Sequence, residues 1–479
     1  MINTKLFDQV LTNKKRTYHV IANSYLHILN AAYPNFIKNY TMTNRQKCIL
    51  SIRFIFVAIF KFLQSIVDKR SYYVCGNLKK TDAIFVSHLV NEKQILEGKE
   101  LYFGSIPDQL LTHDIDSSIV LINHIRVSKK QACSGWKDSK IARLILSPSM
   151  DYISEFRMYL NQIKSKKILK TILKIEGLDR DSRRDILRQH LSSQTFNAIR
   201  IAKQVSDVVR RTGASSIIAT YEGHAWERLV FFYARKANPN IKCLGYQHSA
   251  VFQHQHAIRR PLGGRYDPDV IFTSGAVSEA ILLQSSWKDV DIIRLGSPKS
   301  NSMDLIQLKK KRCCLVVPQG EIEECLSLFG LSMLYARNHR DQKFIWRLHP
   351  LISFDLLLLK HKAFFDDIPN NVLLSSKELN DDIKECDSVL YRGSTAVIDA
   401  ISFGLKPIYY RQLGEELSTD AIYQYDKGKA IIKDSVELYN ALNTTLTKEE
   451  VLSLKSFSQQ FYTPLDLKVL LDNLGDRSL

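Results

Sequence analysis

No Cys-x-x-Cys pair occurs among the eight cysteines, and a structural zinc site is not expected. Cys313 and Cys314 fall inside an apolar, strand-like run, which reads as buried thiols in a reducing compartment. No arginine-rich tail or RNA-binding signature accompanies the formal net charge of +18. The basic residues are spread along the chain, which sets nucleic acid aside and favours an anionic membrane surface or a small anionic substrate. No secretory signal opens the chain: Met1-Ile2-Asn3-Thr4-Lys5 leads into polar sequence, so a cytoplasmic location is expected. Nor is there a clean spanning segment. Ile49 to Val67 is strongly apolar but carries Arg53, Lys61 and Gln64, and Asp68-Lys69-Arg70 follow. A central charge in a membrane helix costs about 2.5–3.5 kcal/mol, so this stretch reads as a buried or membrane-surface amphipathic helix. No Asp-x-Asp pair stands at a strand end. Asp114-x-Asp116 precedes a strand, and Asp267-x-Asp269 flanks Pro268 in a turn. His254 and His256 have zinc-like spacing but no third ligand of matching pattern nearby. The expectation is therefore no metal and no cofactor.

What is present is a long chain of ordinary globular composition. Its 479 residues exceed one ordinary core, and 45% hydrophobic with 24% charged content suits a soluble protein. The first 75 residues or so look helical and basic. Apolar runs that end in polar residues then recur: Ala83 to His88, Ser118 to His124, Ala142 to Pro148, Ser215 to Thr220, Lys242 to Gln247 and Asp269 to Gly275. Helical patterns stand between most of them. After Ile292 to Pro298 and a charged linker, Lys309 to Arg312, the alternation starts afresh with Cys313 to Val317. Such alternation implies α/β architecture with parallel sheets covered by helices on both faces. Two Rossmann-like domains are expected, residues 1–300 and 301–479, facing each other across a cleft, with the last helix a candidate to cross back. Ligands in such sheets sit beyond the carboxyl ends of the strands.

The polar motifs lie at such ends. In the second half, Asp387 to Ala400 reads as strand, tight turn, helix. Gly393 lets a phosphate approach the backbone, Ser394 or Thr395 is placed to cap the helix, and Arg392 adds charge. The strand Phe344 to Leu348 runs into His349-Pro350, with Arg347 offering bidentate contacts and His349 a proton donor near neutral pH. Gln319 and Gly320 form another strand-end turn. In the first half, Glu222 follows an apolar strand, with Gly223 giving room in the turn. Its carboxylate can act as general base or as nucleophile; the competing reading is a first-turn acid stabilising the next helix. His248 ends the adjoining strand and is a candidate for the same cleft, while Glu227 reads as structural. Arg260 and Arg265, on a glycine-containing loop, and Ser297 are candidates for the acceptor or sugar side, although a solvated loop reads equally well for the arginines.

The Arg-x-His-Pro strand end followed by Gly-Ser-Thr resembles the nucleotide half of GT-B glycosyltransferases. More narrowly, it resembles bacterial sialyltransferases and the retaining β-Kdo transferases of capsule and O-antigen synthesis, whose His-Pro and Ser/Thr motifs hold CMP. Here the matches are His349-Pro350 and Ser394-Thr395; where those families show Glu-Ala, this chain has Asp399-Ala400. Thr220 to Arg228 and Gly245 to Ser249 resemble a wider group of bacterial surface-carbohydrate biosynthesis proteins. The resemblance covers roughly residues 215–410 and implies metal-independent sugar transfer from a nucleotide donor, a CMP-linked Kdo or sialic acid. It also implies a lipid-linked or growing glycan acceptor at the inner face of the bacterial inner membrane. A UDP- or GDP-sugar donor, and a catalytically silent relative acting as scaffold, are the alternatives.

Overall fold

The computed structural model describes residues 71–475 except Lys99, 137–138, most of 176–189, His254, His256, 300–310, Leu351 and 414–417, together with scattered positions between 49 and 66. Most of the basic N-terminal region, the His254/His256 pair and the first half of the charged linker lie outside the described residues.

Two sheets carry the chain. The first has eight strands: β1 (Tyr72–Cys75), β2 (Ala83–Leu89), β3 (Ser117–Asn123), β4 (Ala142–Leu146), β5 (Ser216–Thr220), β6 (Lys242–Gln247), β7 (Val270–Thr273) and β8 (Asp291–Arg294). Their spatial order is β1-β4-β3-β2-β5-β6-β7-β8, and all pairs are parallel except β1 with β4. The second sheet has six: β9 (Cys313–Pro318), β10 (Lys343–Trp346), β11 (Val372–Leu374), β12 (Ser388–Arg392), β13 (Lys406–Tyr410) and β14 (Ala430–Ile432). Its order is β11-β10-β9-β12-β13-β14, parallel throughout. The architecture is thus α/β of the GT-B type.

Burial explains why the central strands read as unbroken apolar runs. Side chains of β5 and β9 are buried on both faces, because helices cover each side of a parallel sheet. Each sheet separates two apolar cores. The helix Ser193–Thr212, capped by Ser192 and ended by Gly213 in left-handed conformation (φ 70°), covers one face of the first sheet with the helix Ala225–Ala237.

The chain passes between the sheets twice. It leaves β8 through Gly296-Ser297-Pro298, and it returns after the helix Lys448–Phe461. That helix places Leu454 and Phe461 in the core of the second sheet, whereas Leu470, on the helix Leu467–Leu471, lies in the core of the first. The two crossings touch: Ser297 N donates to Thr463 O at 2.9 Å, and Thr463 N to Ser274 O at 3.0 Å.

One expectation is corrected here. Cys75 of β1 is bonded to Cys133, on the helix Lys129–Ser134, 58 positions further along the chain. The inference of a reducing compartment rested on scattered, unpaired cysteines. Spacing along the chain could not reveal a pair made by the short antiparallel strand β1, itself absent from the sequence reading. Cys313 and Cys314 are buried, as their apolar run implied.

Candidate active site

The neighbouring strands β3, β2, β5 and β6 end side by side, and each delivers polar groups to the same edge. Glu222, just past β5, is the centre. Its Oε2 accepts from His224 Nε2 at 3.1 Å, its Oε1 accepts from Ser249 Oγ at 2.6 Å, and His248 Nε2 stands 4.0 Å from Oε1. Burial alone pushes the Glu222 carboxyl up. The hydrogen bond and charge of His224, with His248 and Ser249, outweigh it and hold the group well below the usual carboxylate range. The same pairing works in reverse on His224: burial opposes its charge, but Glu222 and Glu227 raise it to about 9. His248 is pushed down to about 4, chiefly by burial, against the pull of Glu222. At neutral pH the cluster therefore holds an ion pair, Glu222 with His224, beside a neutral imidazole, His248.

Glu227 is structural, as expected. It accepts from the backbone N–H of Glu222 at 3.0 Å and of His224 at 2.8 Å, tying the β5 turn to the start of the helix Ala225–Ala237. Burial raises its carboxyl to about 7. Gly223 adopts φ 81° and lies against the Ala257 backbone, so a side chain there would clash.

Three aromatic residues complete this edge without having been singled out as site residues from the sequence. His88 Nδ1 and His124 Nε2 share a hydrogen bond of 2.9 Å, and His88 Nε2 meets Thr220 Oγ1 at 3.0 Å. Burial and the neighbouring imidazoles keep His88 neutral. Tyr102 stands edge-on to His88 (5.1 Å between ring centroids) and to His248 (4.8 Å). Its loop is pinned by Glu100, which accepts from Ser87 Oγ at 2.5 Å and from Tyr102 N at 2.9 Å. The signal for both histidines was available: each is a polar residue closing an apolar run at a carboxyl end.

The second sheet carries a group of its own at its strand ends. Gly393 adopts φ 66° and packs so tightly on Gln319 that a Cβ would strike the Gln319 amide oxygen. A Cβ on Gly320 would stand 2.8 Å from His349 Nδ1. Gln319, Gly320, His349 and Gly393 thus form one contiguous surface, on which the buried Gln319 Nε2 has no hydrogen-bond partner. Burial lowers the His349 pKa. Ser394 is buried beside them, Thr395 is half-buried, and Pro350 is exposed at the end of the β10 turn. The cap expected from Ser394 or Thr395 is not made: Thr395 occupies the N-cap position of Ala396–Ser402, but its hydroxyl accepts no backbone N–H.

Three assignments need correction. Arg392 is buried and paired with Glu324, in the first turn of the helix Ile322–Asn338, so its charge is satisfied inside the protein. Arg347 Nη1 donates to the buried Asp382 at 2.8 Å and to the Lys377 carbonyl at 2.6 Å, so its charge is paired within the protein. Ser297 is only 3% exposed and belongs to the chain crossing rather than to a sugar site. Arg260 is half-buried and Arg265 exposed. Both lie on a loop whose backbone is fixed from below, the Arg260 carbonyl accepting from Arg228 and the Arg265 carbonyl from Arg235.

Lys299, on the segment that leaves the first sheet, was not anticipated. It follows Pro298, which packs on Gly104, two residues from Tyr102. Its ammonium lies 5.8 Å from the centre of the Tyr462 ring, and its charge acts on both His248 and Asp399. Among the described residues, no group of three His, Cys, Asp or Glu side chains is placed to hold a metal ion.

No protein-family model matches the chain, and no curated protein matches it by sequence. Solved structures similar to it include a putative UDP-N-acetylglucosamine 2-epimerase from Listeria monocytogenes (10% identity, 81% of this chain and 95% of that chain, TM-score 0.47). The glycosyltransferase SnogD from Streptomyces nogalater is another (14%, 83% and 100%, TM-score 0.46). MurG of Acinetobacter baumannii is a third (10%, 82% and 99%, TM-score 0.42). The likeness is one of chain course alone.

Proposed function

We propose that this protein is a glycosyltransferase that moves a sugar from a nucleotide donor to a hydroxyl of a bacterial surface glycan. The donor is read as a CMP-linked acidic sugar of the Kdo or sialic acid type, on the His349-Pro350 and Ser394-Thr395 motifs. The observation that carries the reading is the pairing of two unlike sites. An acid–base cluster (Glu222, His224, His248) ends one parallel sheet, and a glycine-lined surface (Gln319, Gly320, His349, Gly393) ends the other.

In this reading the second site holds the nucleotide, and the first serves the acceptor. Glu222 is too stable an anion to take a proton readily, because His224 and Ser249 already satisfy it. The neutral His248 is the base. Its Nε2 receives the acceptor hydroxyl proton as the acceptor oxygen bonds to the anomeric carbon. The bond from that carbon to the phosphate oxygen breaks, and its electron pair leaves with the nucleotide. Glu222 stabilises the imidazolium that forms, as a carboxylate beside a histidine base does. Transfer is read as independent of divalent cations.

The acceptor is read as lipid-linked, met at an anionic membrane surface. Phe56, Phe60 and Leu63 are exposed, as are Tyr152, Phe156 and Ile163 on the helix Tyr152–Ile175, and the Phe62 and Phe156 rings lie 6.4 Å apart. Exposed Arg157, Lys164, Lys166, Lys167, Lys170 and Lys174 stand on the same helix, whose one carboxylate, Glu155, is buried against Arg200 at 2.5 Å. Apolar side chains among exposed cations suit anionic lipid. No described helix is long and apolar enough to cross a membrane.

A thermal-shift panel with CMP, UDP, GDP and ADP tests the donor. A nucleotide at 100 times its Kd stabilises by about 2.7 kcal/mol. CMP is expected to raise Tm alone. A shift with UDP or GDP instead overturns the donor class, and no shift with any of the four overturns the nucleotide site.

A further inference from the structure

Both cationic side chains that the sequence offered for a phosphate are committed elsewhere: Arg392 to Glu324 and Arg347 to Asp382. The nucleotide surface on the second sheet contributes amide, imidazole and backbone groups, none of them a fixed positive charge. A phosphate leaving group carries negative charge that grows as its bond to the sugar breaks, so a cation close to it favours the transition state over the ground state.

Lys299 is placed to supply that charge. Its backbone is fixed on two sides. Lys299 N donates to Ser297 Oγ at 3.1 Å, Ser297 N donates to Thr463 O at 2.9 Å, and Pro298 is wedged on Gly104. Gly104 could not carry a side chain, because a Cβ would lie 2.7 Å from Pro298 Cβ. From this anchor the side chain reaches over the buried Tyr462 ring, which attracts a cation through its face. On one side stands the edge holding Tyr102 and His248; on the other stands the helix Ala396–Ser402, whose Asp399 feels the Lys299 charge. No salt bridge ties up the Lys299 ammonium among the described residues, and the residue is exposed. An ammonium held over Tyr462, its charge felt by both His248 and Asp399 and still open to solvent, is where a departing phosphate would find a partner.

We propose that Lys299, on the crossing between the two sheets, is the cation that contacts the phosphate of the donor nucleotide. The inference rests on the glycosyltransferase reading and deepens it. The leaving group would be held by a residue of neither sheet, between the acceptor edge and the nucleotide edge.

Titration calorimetry with CMP and with cytidine, on the wild-type chain and on Lys299→Met and Lys299→Arg, tests this. Lys299→Met is expected to weaken CMP by about 10- to 100-fold, the range of one charge-assisted contact. It should leave cytidine unchanged, since cytidine has no phosphate, and Lys299→Arg should keep most of the CMP affinity. Lys299 is exposed, so an unchanged Tm for Lys299→Met serves as the folding control. Equal CMP affinity in wild type and Lys299→Met overturns the role of Lys299 while sparing the function. A parallel loss of CMP and cytidine also overturns it, because the effect would then not lie on the phosphate. Failure of the wild-type chain to bind CMP, UDP, GDP or ADP overturns the function and this inference together.

Discussion

At the scale of single residues, the division of labour between Glu222 and His248 follows from their partners. Glu222 has two hydrogen-bonding neighbours; His248 has the carboxylate at 4.0 Å and a buried Nδ1 without a partner. His248→Ala is therefore expected to lower kcat by about 10²- to 10⁴-fold, the usual contribution of a general base, with KM for the donor little changed. Glu222→Gln should lower kcat by less, because the imidazole remains. The pH–rate profile should fall on the acid side as His248 protonates, near 4, and on the alkaline side as His224 loses its proton, near 9. The same histidine ties stability to pH. Its folded value is raised, so the stabilisation is complete below the free-histidine value near 6.5 and is lost as pH rises through about 9. A profile that rises monotonically with pH would rule out the Glu222–His224 pair as drawn. Glu222 and His248 were visible in the sequence because each closes an apolar strand. The fates of Arg392 and Arg347 were not, since Glu324 is 68 residues and Asp382 35 residues away along the chain.

Elements were the most legible level. Long apolar runs ending in polar residues marked β2, β3, β5 and β6, because strands buried on both faces need nearly continuous hydrophobicity. The strands that escaped are short and lie at sheet edges: β1, and β14 with its three residues. An edge strand has one neighbour and less burial, so its sequence carries less pattern. The last helix, Leu467–Leu471, is only five residues long, yet it seals the first sheet with Leu470, 1% exposed. Leu470→Ala is expected to destabilise the protein by about 2–5 kcal/mol, as buried leucines do. Urea denaturation reads this as a lower midpoint at unchanged slope; an unchanged midpoint would mean that the crossing segment adds nothing to the first core.

For the whole molecule, the net charge of +18 acquires a place as well as a size. Exposed apolar side chains, Tyr152, Ile153, Phe156, Leu160, Ile163 and Ile168, stand on the lysine-rich helix Tyr152–Ile175. Phe60→Glu together with Phe156→Glu is expected to reduce co-sedimentation with phosphatidylglycerol vesicles several-fold, without affecting nucleotide binding. Equal sedimentation of wild type and variant would remove the membrane from the reading. Composition pointed to an anionic partner, but only the fold put exposed lysines and the exposed Phe156 on one helix.

The touching crossings at Ser297 and Thr463 also limit how the two halves can move against each other. Two connections far apart would act as a door hinge and allow one axis of swing. Two connections bonded to each other act as a single fulcrum, about which displacement grows with lever arm. Lys299, two residues from that fulcrum, would shift least if the halves swing about it. Farther out such a swing would meet little resistance, because the exposed Lys93–Glu378 bridge spans the halves at 3.0 Å and costs at most about 1 kcal/mol to break.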